Sequence, residues 1–212
     1  MAMVKINANF PEPELIQLGA DILKSGGVIG YPTETVYGLG VNALDHSAVE
    51  KIYKLKGRAE KKPILVLAES IQQVKTLIAD FPNIAAALAA NFWPGPLTIV
   101  FRAKSSLSNL LNGGQYTIGI RISTNKICQA LLKATGFPIT STSANISGKA
   151  NPTCASEVEK IFGDQLDLII DGGKTSSATP STVVSVVNKS IEILRQGVIS
   201  ESEIQKRLKA AL

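Results

Sequence analysis

The sequence predicts an α/β fold: a single domain on a twisted sheet of mixed parallel and antiparallel strands, flanked by helices. Three observations carry this. Helical and strand patterns are interleaved along the chain without strict alternation, which argues against a doubly wound parallel sheet. The last two strand patterns, 181–187 and 191–195, are separated by the tight turn Asn188-Lys189-Ser190, which implies an antiparallel pair. The 212 residues, 45% hydrophobic and 18% charged, have the composition of a globular domain with a sizeable core and show no linker, repeat or low-complexity tract.

In chain order, residues 13–25 place Leu15, Ile16, Leu18, Ile22 and Leu23 at helical spacing and stop at Gly26-Gly27, a helix-ending signal. Residues 28–31 read as a short strand, followed by a Gly/Thr-rich loop to Gly40. Asp45 is placed to cap a helix running to Lys56, with Gly57 at its end. An apolar strand is expected at 63–68, helices at 71–79 and 83–92, and strands at 97–102 and 117–122. A helix at 126–134 leads to a strand at 137–140 and a polar loop over 141–153. A helix at 155–162 precedes a strand at 167–170. The last helix starts at Ser200, with Glu203 completing a capping box. The charge-free stretch 81–101 is long enough to span a bilayer, but Pro82, Asn83, Asn91, Pro94 and Pro96 divide it into a buried helix, a turn and a buried strand. No secretory signal is visible, so a cytoplasmic protein without a membrane span is expected.

Charge is unevenly distributed. Lys plus Arg number 22 against 17 Asp plus Glu, a net charge of +5. Residues 81–156 contain no Asp or Glu but hold Arg102, Lys104, Arg121, Lys126, Lys133 and Lys149. A second concentration, Lys51, Lys54, Lys56, Arg58, Lys61 and Lys62, is offset only by Glu50 and Glu60. Segments of this kind facing one cavity suit a polyanion such as a nucleotide or RNA. With one histidine, His46, and two cysteines, Cys128 and Cys154, a clustered His/Cys metal site is excluded, and the cysteines read as reduced core or surface residues. The carboxylate-free middle also argues against paired-acid chemistry.

Two motifs fail. Gly38 to Ala43 fits the dinucleotide pattern GxGxxA, but six residues separate it from the preceding strand and no helix starts at Gly40. Gly173-Lys174-Thr175 resembles the end of a P-loop, but Leu168 stands where its first glycine is required. Three clusters survive: Tyr31 to Gly40, rich in hydroxyls and glycines; Lys56-Gly57-Arg58 with Lys61 and Lys62; and Thr140 to Gly148, where six of nine side chains carry a hydroxyl or amide. Arg121 shares a strand face with Thr117 and Gly119, and Arg195 ends an apolar run before Gly197. Lys, Arg, Ser, Thr and Asn without a histidine base suit phosphoryl or nucleotidyl transfer, assisted by Mg²⁺, and suit triad acyl transfer poorly.

These residues also carry a resemblance. Pro32 to Gly40 reads PTETVYGLG; Lys56 and Arg58 form K-x-R; Ser143 and Asn145 form S-x-N within STSANISG; Pro180 to Val184 reads PSTVV and Leu194 to Gly197 reads LRQG. In this order, over about residues 10–205, the sequence resembles the YrdC/Sua5 family. The resemblance implies one YrdC-like domain over residues 1–212, with a concave electropositive cavity. It implies formation of L-threonylcarbamoyladenylate and pyrophosphate from L-threonine, bicarbonate or CO₂, and ATP, for the N6-threonylcarbamoyl group of adenosine 37 in tRNA. It assigns the catalytic load to Lys56 and Arg58, L-threonine contacts to Thr35, Arg121, Ser141 and Ser181, and ATP contacts to Arg58, Lys62, Thr117, Ser143, Asn145, Asn151 and Arg195. Mg²⁺ would accompany ATP, with no metal site on the protein. The further partners implied are tRNA or double-stranded RNA and a downstream threonylcarbamoyl transferase complex. Leu67 stands where some members carry histidine, Lys62 where asparagine often precedes proline, and Asn151 where serine is common. The longer family form adds a linker and a C-terminal domain, and the end at Leu212 implies the short form. The competing reading is a non-catalytic RNA-binding module in tRNA or rRNA maturation, for which four Tyr, six Phe and one Trp offer little stacking surface. A carbamoyl-adenylate step like that of hydrogenase maturation is the third, and belongs to much longer chains.

Overall fold

The computed structural model describes residues 2–57, 62–188 and 190–209. From the N-terminus its elements are β1 (Ala2–Lys5), α1 (Pro13–Lys24), β2 (Ile29–Tyr31), β3 (Gly38–Gly40), α2 (His46–Lys56), β4 (Val66–Leu67), α3 (Ile71–Leu77), α4 (Asn83–Phe92), β5 (Leu97–Arg102) and α5 (Asn109–Asn112). There follow β6 (Thr117–Arg121), α6 (Lys126–Thr135), β7 (Ile139–Thr140), β8 (Thr142–Ser143), α7 (Ala155–Phe162), β9 (Leu168–Asp171), β10 (Thr182–Ser185), β11 (Glu192–Arg195) and α8 (Glu201–Lys209).

The mixed architecture is as expected, but the strands form two sheets. One runs β1-β9-β2-β3-β8, the other β11-β10-β5-β6-β4-β7. Each combines parallel and antiparallel pairs, and β10 and β11 form the antiparallel pair read from the turn between them. The larger core contains Leu39 and Ile169 from the first sheet, Tyr37 just before β3, Ile99, Phe101, Ile120 and Val184 from the second sheet, and Ile52 of α2. A second core joins Ile16 and Leu23 of α1 and Ile127 and Leu131 of α6 to Ile29, Leu168 and Ile170. This is the hydrophobic face that the helical spacing in 13–25 requires.

The caps behave as the sequence indicates. Asp45 Oδ1 accepts from the Ala48 amide at 3.1 Å, and Gly57 ends α2 in the left-handed region at φ 54°, where a side chain is disfavoured. Ser200 Oγ accepts from the Glu203 amide at 3.2 Å. The apolar stretch resolves into α4, a turn and β5, and no helix among the described residues is long and apolar enough to cross a membrane.

The differences arise from long-range pairing. The expected loop 32–40 contributes Gly38–Gly40 as β3, and the expected polar loop 141–153 contributes Thr142–Ser143 as β8, because each supplies the backbone edge the other needs. The strands expected at 63–68 and 137–140 shorten to β4 and β7. β1 has mostly exposed residues and no strand alternation, and it forms only because β9 lies beside it.

Residues 139–143 join the two sheets. β7 pairs with β4, with Leu67 opposite Ile139, while two residues later β8 pairs with β3, with Leu39 opposite Thr142. Thr140 is buried at the crossing. Its amide donates to Val41 O at 3.0 Å and its hydroxyl to Leu39 O at 3.2 Å. Ser141, between the two strands, donates its amide to Leu65 O at 2.7 Å. Its side chain lies where the sheets diverge, and the cleft opens there.

Candidate functional site

The cleft is concave and open to solvent at its mouth, and residues of both sheets line it. Thr33 and Thr35 come from the β2–β3 loop, Ser141 and Ser143 from the crossing segment, and Leu65, Leu67 and Arg121 from β4, β6 and the residues beside them. Asn151, Pro180, Ser181 and Arg195 complete the wall.

Thr33 shapes the first loop. Its hydroxyl donates to Val36 O at 2.7 Å and accepts from the Thr35 and Val36 amides at 3.1 and 3.3 Å. This local ring satisfies buried backbone groups and places the Thr35 hydroxyl 2.9 Å from that of Thr33. Arg121, the last residue of β6, is buried. Its Nη1 donates to Glu34 Oε1 at 2.5 Å and to Thr35 Oγ1 at 3.3 Å, and its Nη2 reaches Ser141 Oγ at 3.4 Å. Glu34 Oε2 accepts the Ser123 hydroxyl.

Across the cleft, antiparallel pairing of β10 and β11 sets Arg195 opposite Val183. The Arg195 guanidinium donates to Ser181 O at 2.8 and 3.2 Å and to Ser181 Oγ at 3.1 Å, and Ser181 Oγ lies 2.8 Å from Thr98 Oγ1. At the end of α2 the Lys56 ammonium is buried against the STSANISG segment. It donates to Ser143 O, to Asn145 O at 2.6 Å and to Asn145 Oδ1 at 3.1 Å. Ser143 Oγ also donates to Asn145 Oδ1, at 2.6 Å, and the Asn145 amide closes the turn on Lys149 O at 2.5 Å.

The cleft therefore brings together seven of the predicted site residues, Thr35, Arg121, Ser141, Ser143, Asn151, Ser181 and Arg195. Asn145 and Lys56 stand behind this wall and hold it. Lys62 presents an exposed side chain outside the lining and accepts the Tyr53 hydroxyl on its carbonyl at 2.8 Å. Thr117 begins β6, roughly 13 Å of strand from Arg121. Between them Gly119 admits the Leu65 side chain, which a Cβ there would meet at 2.4 Å. Arg58 lies outside the described residues. Thr33 and Glu34, within the Tyr31–Gly40 cluster, receive no role of their own from the sequence, and Ser123 is not singled out. Glu34 had a signal, as the one acidic residue of the loop 31–40, whereas Ser123 had none.

Titratable groups nearby are held protonated. Burial, reinforced by the Glu34 charge, pushes the Cys128 thiol up to about 12, and its S–H donates to Pro32 O at 3.2 Å. Burial likewise raises the Tyr31 and Tyr37 phenols, which donate to Thr140 O and Gly173 O. Among the described residues the lining contains two arginines and no carboxylate or histidine. Among the described residues no three His, Cys, Asp or Glu side chains gather to hold a metal. Such a site orients anionic groups and stabilises charge.

Residues 21–197 match the Sua5/yciO/yrdC family model, described as telomere recombination. The chain belongs to the Sua5/YciO/YrdC family. A family relative from Pyrococcus abyssi, named threonylcarbamoyl-AMP synthase, is 38% identical over 191 residues, covering 90% of this chain and 56% of that protein. The chain thus spans little more than half the length of this relative. A Marinobacter nauticus protein of the same name is 33% identical over 183 residues, covering 85% of this chain and 96% of its own. Among family structures, that of Pyrococcus abyssi Sua5 complexed with L-threonine superposes with a TM-score of 0.95 at 36% identity, covering 98% of this chain and 61% of the other.

Proposed function

We propose that this member of the family is a threonylcarbamoyl-AMP synthase, forming L-threonylcarbamoyladenylate and pyrophosphate from L-threonine, bicarbonate or CO₂, and ATP. The observation that carries the reading is Arg121, a buried guanidinium backed by Glu34 and contacting the hydroxyls of Thr35 and Ser141, in a cleft whose described lining residues include no carboxylate. It is a receptor for a small carboxylate, and a relative of nearly identical fold has been crystallised with L-threonine.

In this reading Arg121 binds the threonine carboxylate, with Thr35, Ser141 and Ser181 around the amino acid. Ser143, Asn151 and Arg195 face the nucleotide. The family resemblance assigns Arg58 and Lys62 to the triphosphate and Thr117 to the nucleotide. Lys56 adds its charge from behind the loop it fastens, together with Asn145. The α-ammonium first gives up one proton to solvent; the free amine then attacks the carbon of bicarbonate, an N–C bond forms, a C–O bond breaks and water leaves. An oxygen of the new carboxylate attacks the α-phosphorus, an O–P bond forms, and pyrophosphate leaves. No side chain needs to act as base, since orientation and charge stabilisation supply the rate. Mg²⁺, accompanying ATP as part of the substrate, would neutralise charge on the phosphates. The product would pass to a threonylcarbamoyl transferase complex for adenosine 37 of tRNA, in the cytoplasm.

Pyrophosphate release by the purified protein, with ATP, Mg²⁺, L-threonine and bicarbonate omitted singly, tests this. Release is expected only with all four, and Arg58→Ala should abolish it. Release without threonine would assign a different acceptor. A folded protein that binds RNA but releases no pyrophosphate would leave the RNA-binding reading in its place.

A further inference from the structure

Among the described residues the cleft lining holds two arginines and no carboxylate, but one carboxylate stands directly behind it. Glu34 reaches Arg121 Nη1 at 2.5 Å through Oε1, and its Oε2 accepts the Ser123 hydroxyl. The two side chains are only 6% and 13% exposed, so the pair is screened little by solvent. A buried ion pair is weak evidence of a stability role, because desolvation offsets its attraction. Its effect here is electrostatic: Glu34 cancels the formal charge of Arg121. Nη2 has only the long 3.4 Å contact to Ser141 Oγ among the described residues, and so remains available to a ligand.

A bare carboxylate approaching Nη2 therefore meets a guanidinium already neutralised and a second carboxylate close behind it. An α-amino acid carries its own ammonium beside its carboxylate, so its net charge is zero and its positive end offsets the field of Glu34. We infer that Glu34 is a specificity-determining residue: it makes the amino-acid subsite select a zwitterion over a plain carboxylate of the same skeleton. This rests on the reading of the cleft as an amino-acid site.

The test is calorimetric binding of L-threonine and of 3-hydroxybutyrate, which is threonine without its α-amino group, to the wild type, Glu34→Gln and Glu34→Ala, each checked for folding by circular dichroism. Glutamine keeps both hydrogen bonds, accepting from Arg121 and donating to Ser123, but removes the charge. Its preference for threonine should fall by about tenfold or more, with 3-hydroxybutyrate bound at least as well as by the wild type. Alanine removes the support as well, and both ligands should weaken. If Gln and Ala weaken both ligands in the same proportion, Glu34 only holds Arg121 in place and the inference is wrong. A wild type that binds the two ligands equally refutes it without any variant. A wild type that binds neither sinks the functional reading and this inference together, whereas tight threonine binding with an unchanged preference in Glu34→Gln refutes the inference alone.

Discussion

Under the proposed function, Arg121 joins stability and recognition in one side chain. Its ion pair with Glu34 is buried, so removing one partner strands the other's charge. Arg121→Met is expected to lower unfolding stability by about 3–5 kcal/mol. Adding Glu34→Leu should recover most of that loss, because two apolar groups then fill the site of a pair whose attraction barely exceeded its desolvation. Urea unfolding of the two single variants and the double variant measures this, and a double variant no more stable than Arg121→Met would contradict it. L-threonine binding should be lost in both proteins that lack Arg121, which separates recognition from stability.

At the scale of elements, the segment from Ser143 to the turn at Gly148 is fastened from behind by Lys56, in addition to the β8–β3 pairing and the Ala144 amide on Tyr37 O. Lys56 donates to Ser143 O, Asn145 O and Asn145 Oδ1 from the end of α2, and its own carbonyl accepts from the Ser147 amide at 3.2 Å. Lys56→Met leaves those acceptors buried without their donor, at a cost of about 1–3 kcal/mol for each group that water does not reach. The segment should loosen while β5 and β6, paired through Ile99 and Ile120 and packed in the main core, stay rigid. Amide hydrogen exchange reads the difference: Ala144 and Ser147 should exchange faster in the variant and Ile120 at its wild-type rate. Equal acceleration throughout would mean that Lys56 supports the whole fold rather than this loop.

Over the whole molecule, the buried thiol and phenols are expected to weaken the fold in alkali. The Cys128 thiol is raised to about 12 by burial, and its unfolded value is about 8.5. The folded state thus keeps a proton that the unfolded state releases. The stabilisation is complete below the unfolded value and is lost as pH rises from there through the folded one. The slope from Cys128 alone is about 1 kcal/mol per pH unit. Urea midpoints should fall from pH 8 to pH 10, and less steeply in Cys128→Ala. A thiol-specific reagent at pH 8 should label Cys154, which is half-buried, and spare Cys128 until the protein unfolds.

Much of this was legible locally. Helices 83–92 and 155–162 and strand 97–102 stand where their patterns place them, because periodicity, caps and prolines act over a few residues. The ends of β6 and β11 located Arg121 and Arg195, and the hydroxyl-rich runs located Thr35, Ser141 and Ser143. What the sequence by itself determined was therefore the mixed α/β class, the carboxylate-poor character of the site and most of its lining. Only the tertiary structure decided that the strands divide into two sheets, that Gly38–Gly40 and Thr142–Ser143 pair as strands, that Lys56 supports the loop from behind, and that Glu34 closes on Arg121. The physical reason is separation along the chain. A cap or an apolar stripe is written in neighbouring residues, whereas an ion pair between residues 34 and 121 exists only after two sheets have brought their ends together.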